Sequence, residues 1–115
     1  MKNRSSDLQE RCFKFASRII NLFRKEKLNI VDTILVRQLI RSATSIGANI
    51  IEGQNSLSSK GFVNSYRIAL KSSNESGFWL KFIKDSDFNK EEINDLLSES
   101  GQLSKIIAAI ILKFK

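Results

Sequence analysis

A chain of 115 residues, 42% apolar and 27% charged, is long enough for one cored domain and too short for two. It has no proline to interrupt a helix and no histidine, which excludes a Ser-His-Asp triad and any histidine-ligated metal centre. A formal charge of +7 favours acidic partners such as nucleic acid or anionic lipid, and also serves solubility.

The opening Met1-Lys2-Asn3-Arg4-Ser5-Ser6 runs into an amphipathic pattern with no signal-peptide core. The spacing then predicts a first helix over 7–25, with Leu8, Cys12, Phe15, Ile19, Leu22 and Phe23 on one face. Ser6 and Gln9 have the spacing of a capping box. Cys12 stands alone, so no internal disulfide forms, and its place in the apolar line predicts a buried, inert sulfur.

A second helix is predicted over 31–54. Leu35, Leu39, Ala43, Ile46 and Ile50 mark one apolar line, and Val36, Ile40, Gly47 and Ile51 a second beside it. So wide an arc suits a helix touching more than one neighbour. Its opposite side is a narrow polar stripe of Gln38, Ser42, Ser45, Asn49 and Glu52. Gly53 and residues 55–59 stop the helix and connect it onward.

A third helix is predicted over 60–84, capped by Ser58 or Ser59. Phe62, Tyr66, Ala69, Ser73, Gly77 and Leu80 form its inner line, and the small residues four apart admit a close neighbour. A fourth helix is predicted over 90–114, opened by an Asn89–Glu92 capping box. Its buried face comprises Ile93, Leu96, Leu97, Leu103, Ile107, Ile110, Ile111 and Phe114. Four helices with short connections, and no strand or hairpin signal, imply an all-α fold: an antiparallel up-down-up-down four-helix bundle forming a single domain over 1–115. The longest apolar run, 106–112, is far short of the roughly 20 residues that cross a bilayer, so a cytoplasmic protein with no membrane partner is expected.

Two surface features exceed what a bundle needs. Ile68, Phe78, Trp79 and Phe82 point away from the inner line of the third helix, as Phe13 and Ile20 do on the first. Outward aromatic clusters mark interfaces, here one between copies of the chain; the alternative is that a neighbouring helix covers them. The charge is also uneven. Residues 1–27 carry eight basic and three acidic side chains, whereas 89–115 carry four of each. Arg4, Arg11, Arg18 and Lys25 recur every seventh residue with Lys14 alongside, forming a strip at the border of the apolar face. Guanidinium groups pair bidentately with phosphate, so this strip is a candidate nucleic-acid contact, with Arg37 and Arg41 as additions. The alternative is a solvated flank whose stems cover the edge of the core.

No phosphate loop, dinucleotide fingerprint or paired-cysteine site is present, and no cofactor or metal is expected. Glu52 and Glu75 are the candidates for a polar pocket; the structural alternative pairs them with Arg37, Arg41 or Asn49 across helices. An enzyme is not expected.

The run Gln38-Leu39-Ile40-Arg41-Ser42-Ala43-Thr44-Ser45-Ile46-Gly47-Ala48-Asn49-Ile50-Ile51-Glu52-Gly53 resembles the signature of the small bacterial four helix bundle protein family. A second block, Ile68-Ala69-Leu70-Lys71-Ser72-Ser73-Asn74-Glu75-Ser76 followed by Trp79-Leu80, agrees in order and distance. Asp7-Leu8, Glu10-Arg11 and Phe15-Ala16 resemble one branch, so the similarity covers roughly 7–84, and the fourth helix is similar only in pattern. That family includes proteins encoded within intervening sequences of large-subunit ribosomal RNA genes. It is similar in fold to the accessory variability protein of diversity-generating retroelements. The resemblance implies an antiparallel bundle assembling into a ring-like homopentamer, and a nucleic-acid role with RNA or DNA as partner; another protein is the partner expected on the alternative reading below. Two positions depart from the family's pattern. Relatives often place an arginine shortly after the Glu-Gly step, where this chain reads Gln54-Asn55-Ser56-Leu57, and a small or acidic residue where it has Lys71.

The sequence thus supports a non-enzymatic, homo-oligomeric bundle binding structured RNA or a ribonucleoprotein through its basic surface. The alternative is a protein-binding scaffold or accessory subunit using Trp79 and its aromatic neighbours.

Overall fold

The computed structural model describes residues 4–84 and 88–114, with side chains described from residue 7. Four helices follow one another: α1 Arg4–Phe23, α2 Ile30–Gln54, α3 Ser59–Lys84 and α4 Lys90–Leu112. They pack as an all-α four-helix bundle of 44 × 28 × 20 Å, in which α2 lies against α1 and α3, and α4 against α3 and α1. The α2–α3 seam is the most extensive and the α1–α4 seam the least.

The caps show where local sequence decides. Asn29 Oδ1 accepts from the Asp32 backbone N–H at 2.8 Å, and Asn89 Oδ1 from that of Glu92 at 3.1 Å. Between Ser58 and Ser59, the cap is Ser58, whose Oγ accepts from the Gly61 N–H at 3.0 Å. Two expected capping boxes differ. Ser6 is already helical, so it does not cap α1, and Gln9 bonds instead to the side chain of Gln54 on α2. The Glu92 carboxylate does not reach back to Asn89 because it pairs with Arg18. Helix α1 also ends at Phe23, two residues before Lys25.

One core runs the length of the bundle, and Phe15, Ile19, Leu39, Ile46, Ile50, Tyr66, Leu80, Ile93, Leu96, Leu103 and Ile107 are essentially inaccessible. Gly53 marks a close approach: a Cβ there would lie 2.8 Å from Cδ1 of Tyr66, so only glycine lets α3 seat its tyrosine against the end of α2. Two residues of the predicted lines lie outside the core. Ile51 is exposed on the second arc of α2, and Phe114, past the end of α4, packs on the Phe62 ring at 4.8 Å while remaining about half exposed. Among the described residues, no helix is long and apolar enough to cross a membrane.

Among the described residues five serines are buried: Ser42, Ser72, Ser73, Ser76 and Ser100. Small side chains let the helices approach, and hydroxyls bonded to carbonyls or to each other avoid the cost of burial. Ser42 Oγ and Ser76 Oγ are 2.9 Å apart across α2 and α3, and Ser73 Oγ donates to the Ser100 carbonyl across α3 and α4 at 3.0 Å.

Candidate nucleic-acid interface

The cationic strip of α1 is largely engaged within the molecule. Arg11 grips Glu99 of α4 with two nitrogens, Nη2 to Oε1 at 2.6 Å and Nε to Oε2 at 3.1 Å, and its Nη2 also donates to Gln102. Arg18 holds Glu92 one level further along, with Nη2 at 2.9 Å and Nε at 3.0 Å. Lys14 pairs with Glu10 one turn away at 3.4 Å. Lys25 is exposed beyond the end of α1, and the Arg4 side chain lies outside the described residues. Arg11 and Arg18 therefore tie together α1 and α4, the adjacent helices with the least extensive seam. Arg11 is held protonated more firmly than usual, mainly by its hydrogen bond to Glu99.

Arg37 and Arg41 stand differently. Both are exposed on α2, and among the described residues neither makes an ion pair. Arg41 borders a groove of about 350 Å³ along the outer side of the α2–α3 seam, lined by Gln38, Ser42 and Ser45 from α2 and by Ile68, Lys71, Ser72 and Glu75 from α3. Periodicity along a single helix did not reveal Lys71 as a candidate. The signal that does is a repeated dipeptide: Arg41 precedes seam serine Ser42, and Lys71 precedes seam serine Ser72. Glu52 and Glu75 are exposed and form no ion pair among the described residues, contrary to the expected pairing with Arg37, Arg41 or Asn49. Asn49 bonds to Ser45 instead.

The groove's floor has an ordered set of hydrogen bonds. Ser72 Oγ donates to Ser45 Oγ at 3.0 Å, and Asn49 Nδ2 donates to the same oxygen at 3.1 Å. Ser42 and Ser76 bond to each other, and the hydroxyl that accepts in that pair donates to its own carbonyl, Leu39 for Ser42 or Ser72 for Ser76. Ser45 is thus twice an acceptor, and its own hydroxyl hydrogen meets no acceptor among the described residues.

Of the outward apolar residues, Ile68, Phe78 and Phe82 are each about half exposed. Trp79 is half-buried against the core, so it forms the base of the patch. The Phe78 ring meets Trp79 and Phe82 edge-on, both at 5.1 Å between centroids. Phe13 is 72% exposed and Ile20 is largely buried, beside an α1–α2 groove that Ile51 also borders. Cys12 is buried, and burial pushes its thiol up to about 12. Among the described residues, no three of His, Cys, Asp and Glu gather closely enough to hold a metal ion.

A crystal structure at 1.70 Å of a protein with unknown function, from the S23 ribosomal protein family of Bacteroides thetaiotaomicron VPI-5482, is similar over 95% of this chain and 98% of its own. The two share 31% identity and superpose with a TM-score of 0.80. No curated protein matches the chain. The sequence profile of the 23S rRNA-intervening sequence proteins matches residues 4–109, nearly the whole bundle, and the chain belongs to that family.

Proposed function

We propose that this protein is a non-enzymatic, homo-oligomeric bundle that binds structured RNA through the cations of its α2–α3 face. The observation that carries this reading is the division of its positive charge. Arg11, Lys14 and Arg18 are occupied by carboxylates, whereas Arg37, Arg41 and Lys71 are exposed and make no ion pair among the described residues. Unpaired surface cations lose little on meeting phosphate and release its counterions, whereas paired ones must first give up a carboxylate. The family's description names a segment of 23S rRNA, which makes ribosomal RNA the first ligand to try. Copies assembled through Phe78 and Phe82 would present the face several times, so individually weak contacts add.

The test is fluorescence anisotropy with a labelled hairpin of 23S rRNA, repeated from low to high salt. Binding that survives excess competitor DNA and weakens steeply with salt supports the reading. Binding removed by competitor at every salt concentration means the charge serves solubility alone.

The aromatic patch favours a second reading, a scaffold or accessory subunit docking another protein on Phe78 and Phe82. Trp79 is partly core, so Phe82→Ala is the cleaner probe. Loss of a captured protein with RNA affinity unchanged would favour this second role.

A further inference from the structure

We infer that the α2–α3 groove binds one ribonucleotide unit of an RNA chain, holding its phosphate on Arg41, Ser45 and Lys71 and its ribose 2′-hydroxyl on Glu75. The inference rests on the RNA reading above and gives that reading a site.

A phosphodiester offers only acceptors, so its site must supply donors. The groove has three kinds. Arg41 brings a planar fork of N–H groups, Lys71 a mobile ammonium, and Ser45 a hydroxyl hydrogen without an acceptor among the described residues. Ser45 is held from two sides, by Ser72 and by Asn49, both donating into its oxygen. That arrangement fixes the oxygen and leaves its hydrogen for a ligand. The neighbouring hydroxyls Ser42 and Ser76 differ, since they bond to each other and each has a backbone carbonyl acceptor within reach. An oxyanion seated over Ser45 between the two cations completes the hydrogen bonding of the floor.

Glu75 would oppose an anion placed on it. It stands four residues from Lys71 on α3, about 6 Å along the helix axis, and lines the same groove. Its carboxylate is acceptor-only and makes no ion pair among the described residues. Arg41 roots at the Glu75 end, level with the Ser42–Ser76 contact, and its stem is long enough to carry its fork one turn along to Ser45 and Lys71. A phosphate held over Ser45 and Lys71, with an acceptor one turn away, matches a ribose-phosphate unit, whose phosphate accepts and whose 2′-hydroxyl donates. The 2′-hydroxyl is the group that separates RNA from DNA. The groove, of about 350 Å³ and open to solvent, admits such a unit from the side.

The experiment uses the full-length protein and two labelled hairpins of identical sequence, one RNA and one DNA, at several salt concentrations. Lys71→Gln changes an exposed side chain and should weaken RNA binding by about five- to tenfold, lowering the log–log salt slope by about one. Ser45→Ala removes no charge, so it should weaken binding by about threefold with the slope unchanged, an effect a diffuse positive field does not produce. Lys105→Gln, which removes an equal charge from exposed α4, should change affinity by less than about twofold. Glu75→Ala should tighten DNA binding and bring the RNA-to-DNA ratio toward one.

If the wild-type protein binds neither hairpin, the RNA reading itself falls. If it binds RNA while Lys71→Gln and Ser45→Ala match Lys105→Gln, RNA lies elsewhere and the groove is overturned as its site. If Glu75→Ala leaves the RNA-to-DNA ratio intact, the ribose assignment is overturned.

Discussion

Arg11 and Glu99 meet at 2.6 Å across α1 and α4, and Arg18 and Glu92 repeat the contact at 2.9 Å. Each pair sums to the same register, as antiparallel helices require, with both members seven residues from their counterparts. These contacts join the adjacent helices with the least extensive seam, and with side chains 20–40% exposed each pair is screened only in part. Arg11→Ala should cost about 1 kcal/mol in urea unfolding, and a double-mutant cycle with Glu99→Gln should return most of that as coupling. Arg11→Glu should cost more, because it sets two carboxylates together. A coupling near zero would show that the bidentate contact contributes nothing to holding α1 in place.

The same pairs explain what the sequence conceals. Heptad spacing correctly sets Arg11 and Arg18 on one side of α1, at the border of its apolar face. That border is also where the next helix lies, and Glu92 and Glu99 of α4 carry the matching interval of seven. Reading one helix at a time shows a cationic strip; only the antiparallel register turns it into a tie. The lost capping box at Glu92 has the same cause, a distant arginine outcompeting a backbone N–H. Helix number, order and core lines are legible because period 3.6 and capping asparagines are local properties. The α2–α3 groove is not, because it exists only between two helices, and Lys71 belongs to no periodic charge pattern on its own.

Two glycines should respond in opposite directions. A methyl at Gly53 would sit 2.8 and 2.9 Å from the ring of Tyr66, a buried side chain with no room to withdraw. Gly53→Ala should therefore destabilise by about 1–3 kcal/mol. At Gly101, inside α4, a Cβ meets nothing within 4 Å, so Gly101→Ala should stabilise by about 0.5–1 kcal/mol through helix propensity alone. Thermal melts should move down for the first and up by a few degrees for the second. Equal shifts of the same sign would remove the packing argument for Gly53.

Burial raises the Cys12 thiol to about 12 and also raises the Tyr66 phenol, whose hydrogen bond from Gln54 offsets only part of the effect. Both groups are neutral when protonated, so the folded state keeps protons that the unfolded chain releases near its ordinary thiol and phenol values. Their contribution is whole below about pH 9 and is lost as pH rises toward 12. Unfolding free energy should fall through that window, with a limiting slope of about 1.4 kcal/mol per pH unit for each proton retained. Cys12→Ala should flatten the slope and leave the share of Tyr66. At pH 8 the native thiol should resist a disulfide reagent until urea exposes it. Rapid labelling of the folded protein would contradict its burial.

Phe78 and Phe82 present edge-packed rings to solvent on the outer face of α3, each about half exposed, over a Trp79 half-buried against the core. A rigid base with two projecting rings loses little side-chain entropy on being covered, which favours it as a contact between copies. Covering the exposed half of two phenylalanines is worth about 2 kcal/mol per interface, roughly thirtyfold in dissociation constant. Phe78→Ser with Phe82→Ser should therefore shift sedimentation equilibrium toward monomer at micromolar protein while leaving monomer stability nearly unchanged. Phe13→Ser, at a ring 72% exposed on α1, serves as the comparison. If the α3 variant keeps the assembly of the parent and Phe13→Ser breaks it, the contact runs along the α1–α2 groove beside Ile51 instead. If both variants and the parent sediment as monomers, the aromatic face is free for a different protein.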